Sequence, residues 1–232
     1  MSNRKEIISL IIDYQRQNPP TSGHGFSHLI KVANHCQKLA KLNKYEDPNL
    51  AYIVGLFHDI YRPATGGGQE EHESSSASIT KTILNGILNQ EEINTVVNAI
   101  DNHDQRIIDG NSNLLDNIIS IADKSTISFQ RGIAYTWACN QGPKVIYKNY
   151  IEVVRDFLIY QNKAWIIFGK SKIIGVDHAI KAYLATDTRL IQALRLEMNH
   201  KTTYPKDSLI WVKKEITEDK KYLKRYLTSD LC

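Results

Sequence analysis

The chain has 232 residues, of which 42% are hydrophobic and 23% charged, with a net charge of +4. This balance excludes an intrinsically disordered chain and fits one large domain, or one domain with an appendage. The small positive excess gives no reason to expect a nucleic-acid partner, and it suits a protein that handles an anionic small molecule.

The periodicity is helical nearly throughout. A first helix is predicted from about Arg4 to Gln17, stopping before Asn18-Pro19-Pro20. A second runs from near Ser27 to about Asn43, with Phe26, Leu29, Ile30, Val32, Ala33, Cys36, Leu39 and Ala40 forming a broad apolar side. A third, short and apolar, begins near Asp47-Pro48, where proline suits the first turn, and ends before Pro63. A glycine-rich loop follows at Gly66-Gly67-Gly68. Further helices are predicted at roughly 72–88, 90–103, 113–128, 144–167, 176–199 and 206–226. Strand signals are poor, with no sustained alternation and no flanked Asn-Gly turn, so the fold class is all-α. The apolar runs IISLII and AYIVGLF are far too short to cross a bilayer. The N-terminal stretch has no signal-peptide pattern, and Cys36, Cys139 and Cys232 are odd in number and widely spaced. These features lead us to expect a cytoplasmic protein with reduced thiols.

Six polar side chains stand out against this background: His28, His58, Asp59, His72, His103 and Asp123. Imidazoles and carboxylates rarely occupy apolar helix faces unless something offsets their burial. A metal ion offsets all of them together, since neutral imidazole and carboxylate are its ordinary ligands. His28 shares a stripe with Val32, Cys36 and Leu39; alone it would read as a satisfied core histidine. His58 and Asp59 close an apolar helix, diverging by about 100° if that helix is regular. A helix-ending histidine beside a solvated aspartate is the plainer reading of that pair. Asp123 lies among Ile119, Ile121 and Ala122. An ion pair with Lys124 is the alternative to a metal there, but adjacent helical residues do not face one another.

His28, His58–Asp59 and Asp123, in this order and spacing, resemble the H…HD…D signature of the HD-domain superfamily of metal-dependent phosphohydrolases. The stretch HGFSHLIKVANHCQKLAK followed by LFHDI is similar to the small bacterial and archaeal members. The resemblance covers roughly residues 22–130. It implies an HD-type helical bundle over 1–130 whose helices converge these side chains on a metal. The resemblance does not reach beyond residue 130; the helical periodicity there reads 131–232 as a helical extension packed on the core, or as part of one domain with it. Some branches carry two further histidines that hold a second metal, and His72 and His103 stand where that pattern needs them. Asp59 would then bridge the two ions. The plainer readings are a solvated helix-start histidine beside Glu70, Glu71 and Glu73, and a histidine favourable at a helix C-terminus.

One or two divalent ions (Mn, Fe, Co, Ni, Zn or Mg) would activate a water as nucleophile and polarise a phosphoryl oxygen. The expected substrate is a nucleotide or another small phosphorylated metabolite. Asp59, His24 and Lys124 are the candidate catalytic residues; Lys31, Arg62 and Lys124 are the candidate phosphate contacts. Gly66–Gly68 lacks a following Gly-Lys-Ser/Thr and is read as a segment at the site mouth. Two alternatives remain at this level. The same six ligands occur in a few family members that carry two irons and use dioxygen to cleave C–C or C–P bonds. A non-catalytic, metal-stabilised helical module is the other. The basic stretch Lys213 to Arg225 is broken by Glu215, Glu218 and Asp219, which reads as a solvated helix rather than a nucleic-acid surface. The last hundred residues are read as part of the same domain, a lid, or the surface of a homodimer.

Overall fold

The computed structural model describes residues 2–20, 24–62, 72–104, 113–126 and 173–175. The predicted helices at 144–167, 176–199 and 206–226, the Gly66–Gly68 loop, Cys139 and Cys232 lie outside these residues. So do the basic stretch from Lys213 and the 130/131 boundary.

Six α-helices form the described part: α1 (Ser2–Gln17), α2 (Phe26–Leu42), α3 (Pro48–Phe57), α4 (His72–Leu84), α5 (Gln90–Asp101) and α6 (Leu114–Thr126). No strand occurs among the described residues, as the missing alternation predicts. Local chemistry sets several of the boundaries. Asp47 accepts hydrogen bonds from the backbone N–H groups of Asn49 and Leu50, and Pro48 fills the first turn of α3. Asn89 and Glu92 form a reciprocal capping box at the start of α5. Helix α4 stops at Leu84, short of the predicted 88, because Gly86 takes a positive φ of 83° that turns the chain.

Helix α2 is the centre of the bundle. All eight residues of its predicted apolar side are buried. It packs along α3 on one side and α6 on another, while α4 and α5 pair with each other and α5 also meets α3. Ile7, Ile8, Ile11 and Ile12 add the inner face of α1. Fully burying one such aliphatic side chain contributes about 1.5–3 kcal/mol, so this core can offset several buried polar groups. Ile173 also reaches the core, and Asn43 grips the neighbouring residue at two points. Its amide nitrogen donates to the Ile174 carbonyl at 3.1 Å, and its amide oxygen accepts from Ile174 N–H at 2.8 Å.

The close approach of α2 and α3 depends on Gly55. A Cβ there would lie 2.5 Å from Ala33 Cα and 2.8 Å from Ala33 N, inside any real contact. Gly55→Ala is therefore expected to push the two helices apart, destabilise the protein by about 1–3 kcal/mol and lower its Tm. Thermal unfolding followed by circular dichroism measures this; an unchanged Tm would contradict the packing described here.

Candidate metal centre

Both residues of the His58–Asp59 pair fall just beyond a helix. Helix α3 ends at Phe57, His58 caps it, and Ile60 N–H bonds the Phe57 carbonyl at 3.1 Å as the turn tightens. The pair is thus not splayed as on a regular helix. His58 Nε2 and Asp59 Oδ2 approach to 3.4 Å. Helix α5 ends similarly, and His103 stands in the turn after it. His28 lies in the first turn of α2, and His72 is the first residue of α4. Asp123 comes from the last turns of α6.

The structure brings these six side chains together in the interior as two groups. His28, His58, Asp59 and Asp123 form the first; Asp59, His72 and His103 form the second, and within each group all ligand atoms lie within 4.8 Å of one another. In the first group His28 Nε2 is 3.2 Å from His58 Nε2 and 3.3 Å from Asp123 Oδ1. His58 Nε2 is 3.4 Å from Asp123 Oδ1. Donors about 2.1 Å from a shared ion, at tetrahedral or octahedral angles, stand roughly 3.0–3.4 Å apart, so these edges fit one ion. Asp59 stands farther from its partners: its Oδ2 is 3.9 Å from His28 Nε2 in the first group. Asp59 Oδ1 is 3.7 Å from His72 Nε2 and 3.8 Å from His103 Nε2. Asp59 therefore turns one oxygen to each group.

Proton placement makes the fit chemical as well as geometric. His58 Nδ1 is 2.9 Å from the Gly55 carbonyl, and His103 Nδ1 is 2.6 Å from the Ile100 carbonyl. A carbonyl only accepts, so each Nδ1 carries the proton and, in the neutral ring, Nε2 presents a bare lone pair. The His72 Nδ1 proton goes to Glu73 Oε2 at 3.0 Å, with the same result. Three lone pairs thus face carboxylate oxygens in a buried space. Such an arrangement is repulsive unless a cation or a proton lies between them. A divalent ion with imidazole and carboxylate ligands satisfies it.

The protein groups by themselves settle the problem with a proton. Burial would lower His58, but Asp59 and Asp123 outweigh it and raise its pKa to about 10. Burial opposes ionisation of Asp59 and Asp123 as well. Even so, Arg62 and His58 hold Asp59, and Lys124 and the histidines hold Asp123, well below the usual carboxylate range. Burial pushes His103 down to about 4 and His24 down to about 3, so both are neutral at pH 7.

The remaining predicted residues divide. Arg62 Nε donates to Asp59 Oδ1 at 2.9 Å, and His24 Nε2 lies 3.6 Å from Asp59 Oδ2, nearer the surface than His28, His58, His72 and His103. Lys124 corrects the sequence reading. It is buried, and its ammonium does reach Asp123 Oδ2 at 3.0 Å as well as Asp104 Oδ1 at 2.9 Å. The side chain is long enough to fold back on its neighbour, and Asp123 still turns Oδ1 to the histidines. Lys31 is half-buried on α2, three residues after His28. Sequence reasoning missed three supporting residues. Ser120 Oγ donates to the His103 carbonyl at 2.5 Å, Asp104 pairs with Lys124, and Glu73 orients His72. Asp104 and Glu73 adjoin candidate ligands in the sequence, which was the available signal; Ser120 gave none.

Residues 25–127 match the family model described as HD domain. No curated protein and no solved structure matches the chain. Among the described residues no helix is long and apolar enough to cross a membrane.

Since His58 holds a proton up to about pH 10, an ion entering the first group must displace it. Divalent-metal affinity is expected to rise with pH between about 6 and 9, by up to tenfold per unit, with proton release on binding. Calorimetric titration with Mn²⁺ in buffers of different ionisation enthalpy measures both; pH-independent uptake without proton release would contradict this protonation state.

Proposed function

We propose, on the premise that residues 25–127 form an HD domain, that the chain is a metal-dependent phosphohydrolase acting on a nucleotide or another small phosphorylated metabolite. The observation that carries the reading is the pair of ligand groups sharing Asp59, with a guanidinium beside them. His28, His58, Asp59 and Asp123 would hold one divalent ion; Asp59, His72 and His103 would hold a second. Bound there, such ions supply an activated water and neutralise charge that builds up on a phosphoryl group.

The chain's own residues supply the rest. Arg62 uses Nε on Asp59, which leaves the other N–H donors of its planar fork for a phosphate, and its side chain is partly exposed. Lys124 keeps a positive charge beside Asp123 and Asp104, which supports an electrostatic part in holding an anionic substrate. His24 is neutral at pH 7 and close to Asp59 at the more exposed side of the cluster. That favours a substrate contact or a proton acceptor over a donor imidazolium.

The test is phosphate release from a panel of nucleotides and small phosphate esters, with Mn²⁺, Co²⁺ or Mg²⁺ supplied. Asp59→Asn should reduce release on the order of 10³-fold while the far-ultraviolet circular dichroism stays unchanged. Arg62→Ala should raise KM about tenfold or more, with a smaller effect on kcat. No phosphate release from any substrate with any of these metals would overturn the proposal. Oxygen uptake by an iron-loaded sample, in its place, would assign the site to C–C or C–P cleavage.

A further inference from the structure

The groups behind the ligand histidines are not alike. His58 and His103 donate to backbone carbonyls, which are neutral. His72 donates to the carboxylate of Glu73. The two ligand groups differ in charge as well. Two carboxylates, Asp59 and Asp123, contribute to the first group. The second has only the far oxygen of Asp59, and that oxygen already accepts a hydrogen bond from Arg62 Nε at 2.9 Å. It also has three candidate ligands where the first has four. On charge and on ligand number the second group is the weaker donor set, and Glu73 is the anionic residue placed directly behind it.

We propose that Glu73 is a positioning residue that enables the second group to hold an ion. It does so in two ways. It fixes His72 with the proton on Nδ1 and the lone pair of Nε2 turned to Asp59. Its negative charge makes that nitrogen a better donor, offsetting the electron density that Arg62 draws from Asp59 Oδ1. The inference rests on the two-ion reading given above. A carboxylate behind a ligating histidine typically changes metal affinity by about 10–100-fold. The polarity of the local helix does not explain the contact. An acid in the first turn of α4 is favourable in any rotamer, whereas here the carboxylate turns to its neighbour's ring.

The experiment is a calorimetric Mn²⁺ titration of the full chain, comparing the wild type with Glu73→Gln and Glu73→Ala. Gln keeps the shape and an acceptor oxygen but loses the charge; Ala loses both. The expected result is two equivalents in the wild type, with the weaker one weakened about tenfold in Glu73→Gln and up to about 100-fold in Glu73→Ala. The tighter equivalent and the Tm of the metal-free protein should not move. Two equivalents in all three proteins with unchanged affinities would overturn the role of Glu73 alone. Equal weakening of both equivalents, with a lowered metal-free Tm, would make Glu73 a fold residue and also overturn it. A wild type that takes up a single equivalent would overturn the two-ion reading and this proposal with it.

Discussion

The centre of this protein depends on one buried carboxylate. Asp59 is almost fully shielded from water, and its two oxygens face five imidazoles and a guanidinium. Burying an ionised carboxylate costs several kcal/mol unless charges and hydrogen bonds surround it. The elements around Asp59 are arranged to supply them. Arg62 comes from the same turn, His58 and His103 from the ends of α3 and α5, and His28 and His72 from the starts of α2 and α4. Shifting Asp59 by one residue would move it off both groups together.

The same local device is used at two of these positions. Histidine in the turn after a helix donates Nδ1–H to the carbonyl three residues earlier, as His58 does to Gly55 and His103 to Ile100. A helix C-terminus leaves carbonyls without intrahelical partners, and the ring satisfies one of them. The reward is an Nε2 lone pair aimed away from the helix end and into the cluster. A helix C-terminus also carries partial negative charge, which favours a cation nearby. The ligand geometry is thus a by-product of helix termination, and it holds only while α3 and α5 end where they do. Gly55 contributes doubly. Its missing side chain admits α2 against α3, and its carbonyl orients His58.

Around this cluster, the polar groups tie one element to another. Ser120 on α6 bonds the His103 carbonyl, Ser76 on α4 accepts from Tyr61 N–H, and Lys124 links α6 to Asp104 after α5. Each connection sets the distance between two ligand-bearing segments, so the site and the bundle stabilise each other. The apolar core around α2 supplies the bulk of the burial energy, while these bonds select a single packing arrangement.

Much of this was legible in the sequence. The apolar side of α2 follows from residue spacing alone, because a helix repeats its face every three or four residues. The start of α3 follows from Asp47-Pro48, since capping is a nearest-neighbour matter. The ligand types and their order carry the HD resemblance that the family match also reports. Other features needed the tertiary structure. Helix α4 ends early because Gly86 adopts a positive φ, and nothing in the surrounding pattern demands that conformation. Lys124 reaches Asp123 because a long side chain can fold against the helical direction when Asp104 draws it inward. The division of the Asp59 oxygens between two groups depends on helices that lie far apart in the chain. By itself the sequence determined the apolar face of α2, the start of α3 and the order of the candidate ligands, because those properties are local. Only the tertiary structure decided which oxygen faces which nitrogen, because that is set by long-range packing to within a few tenths of an ångström.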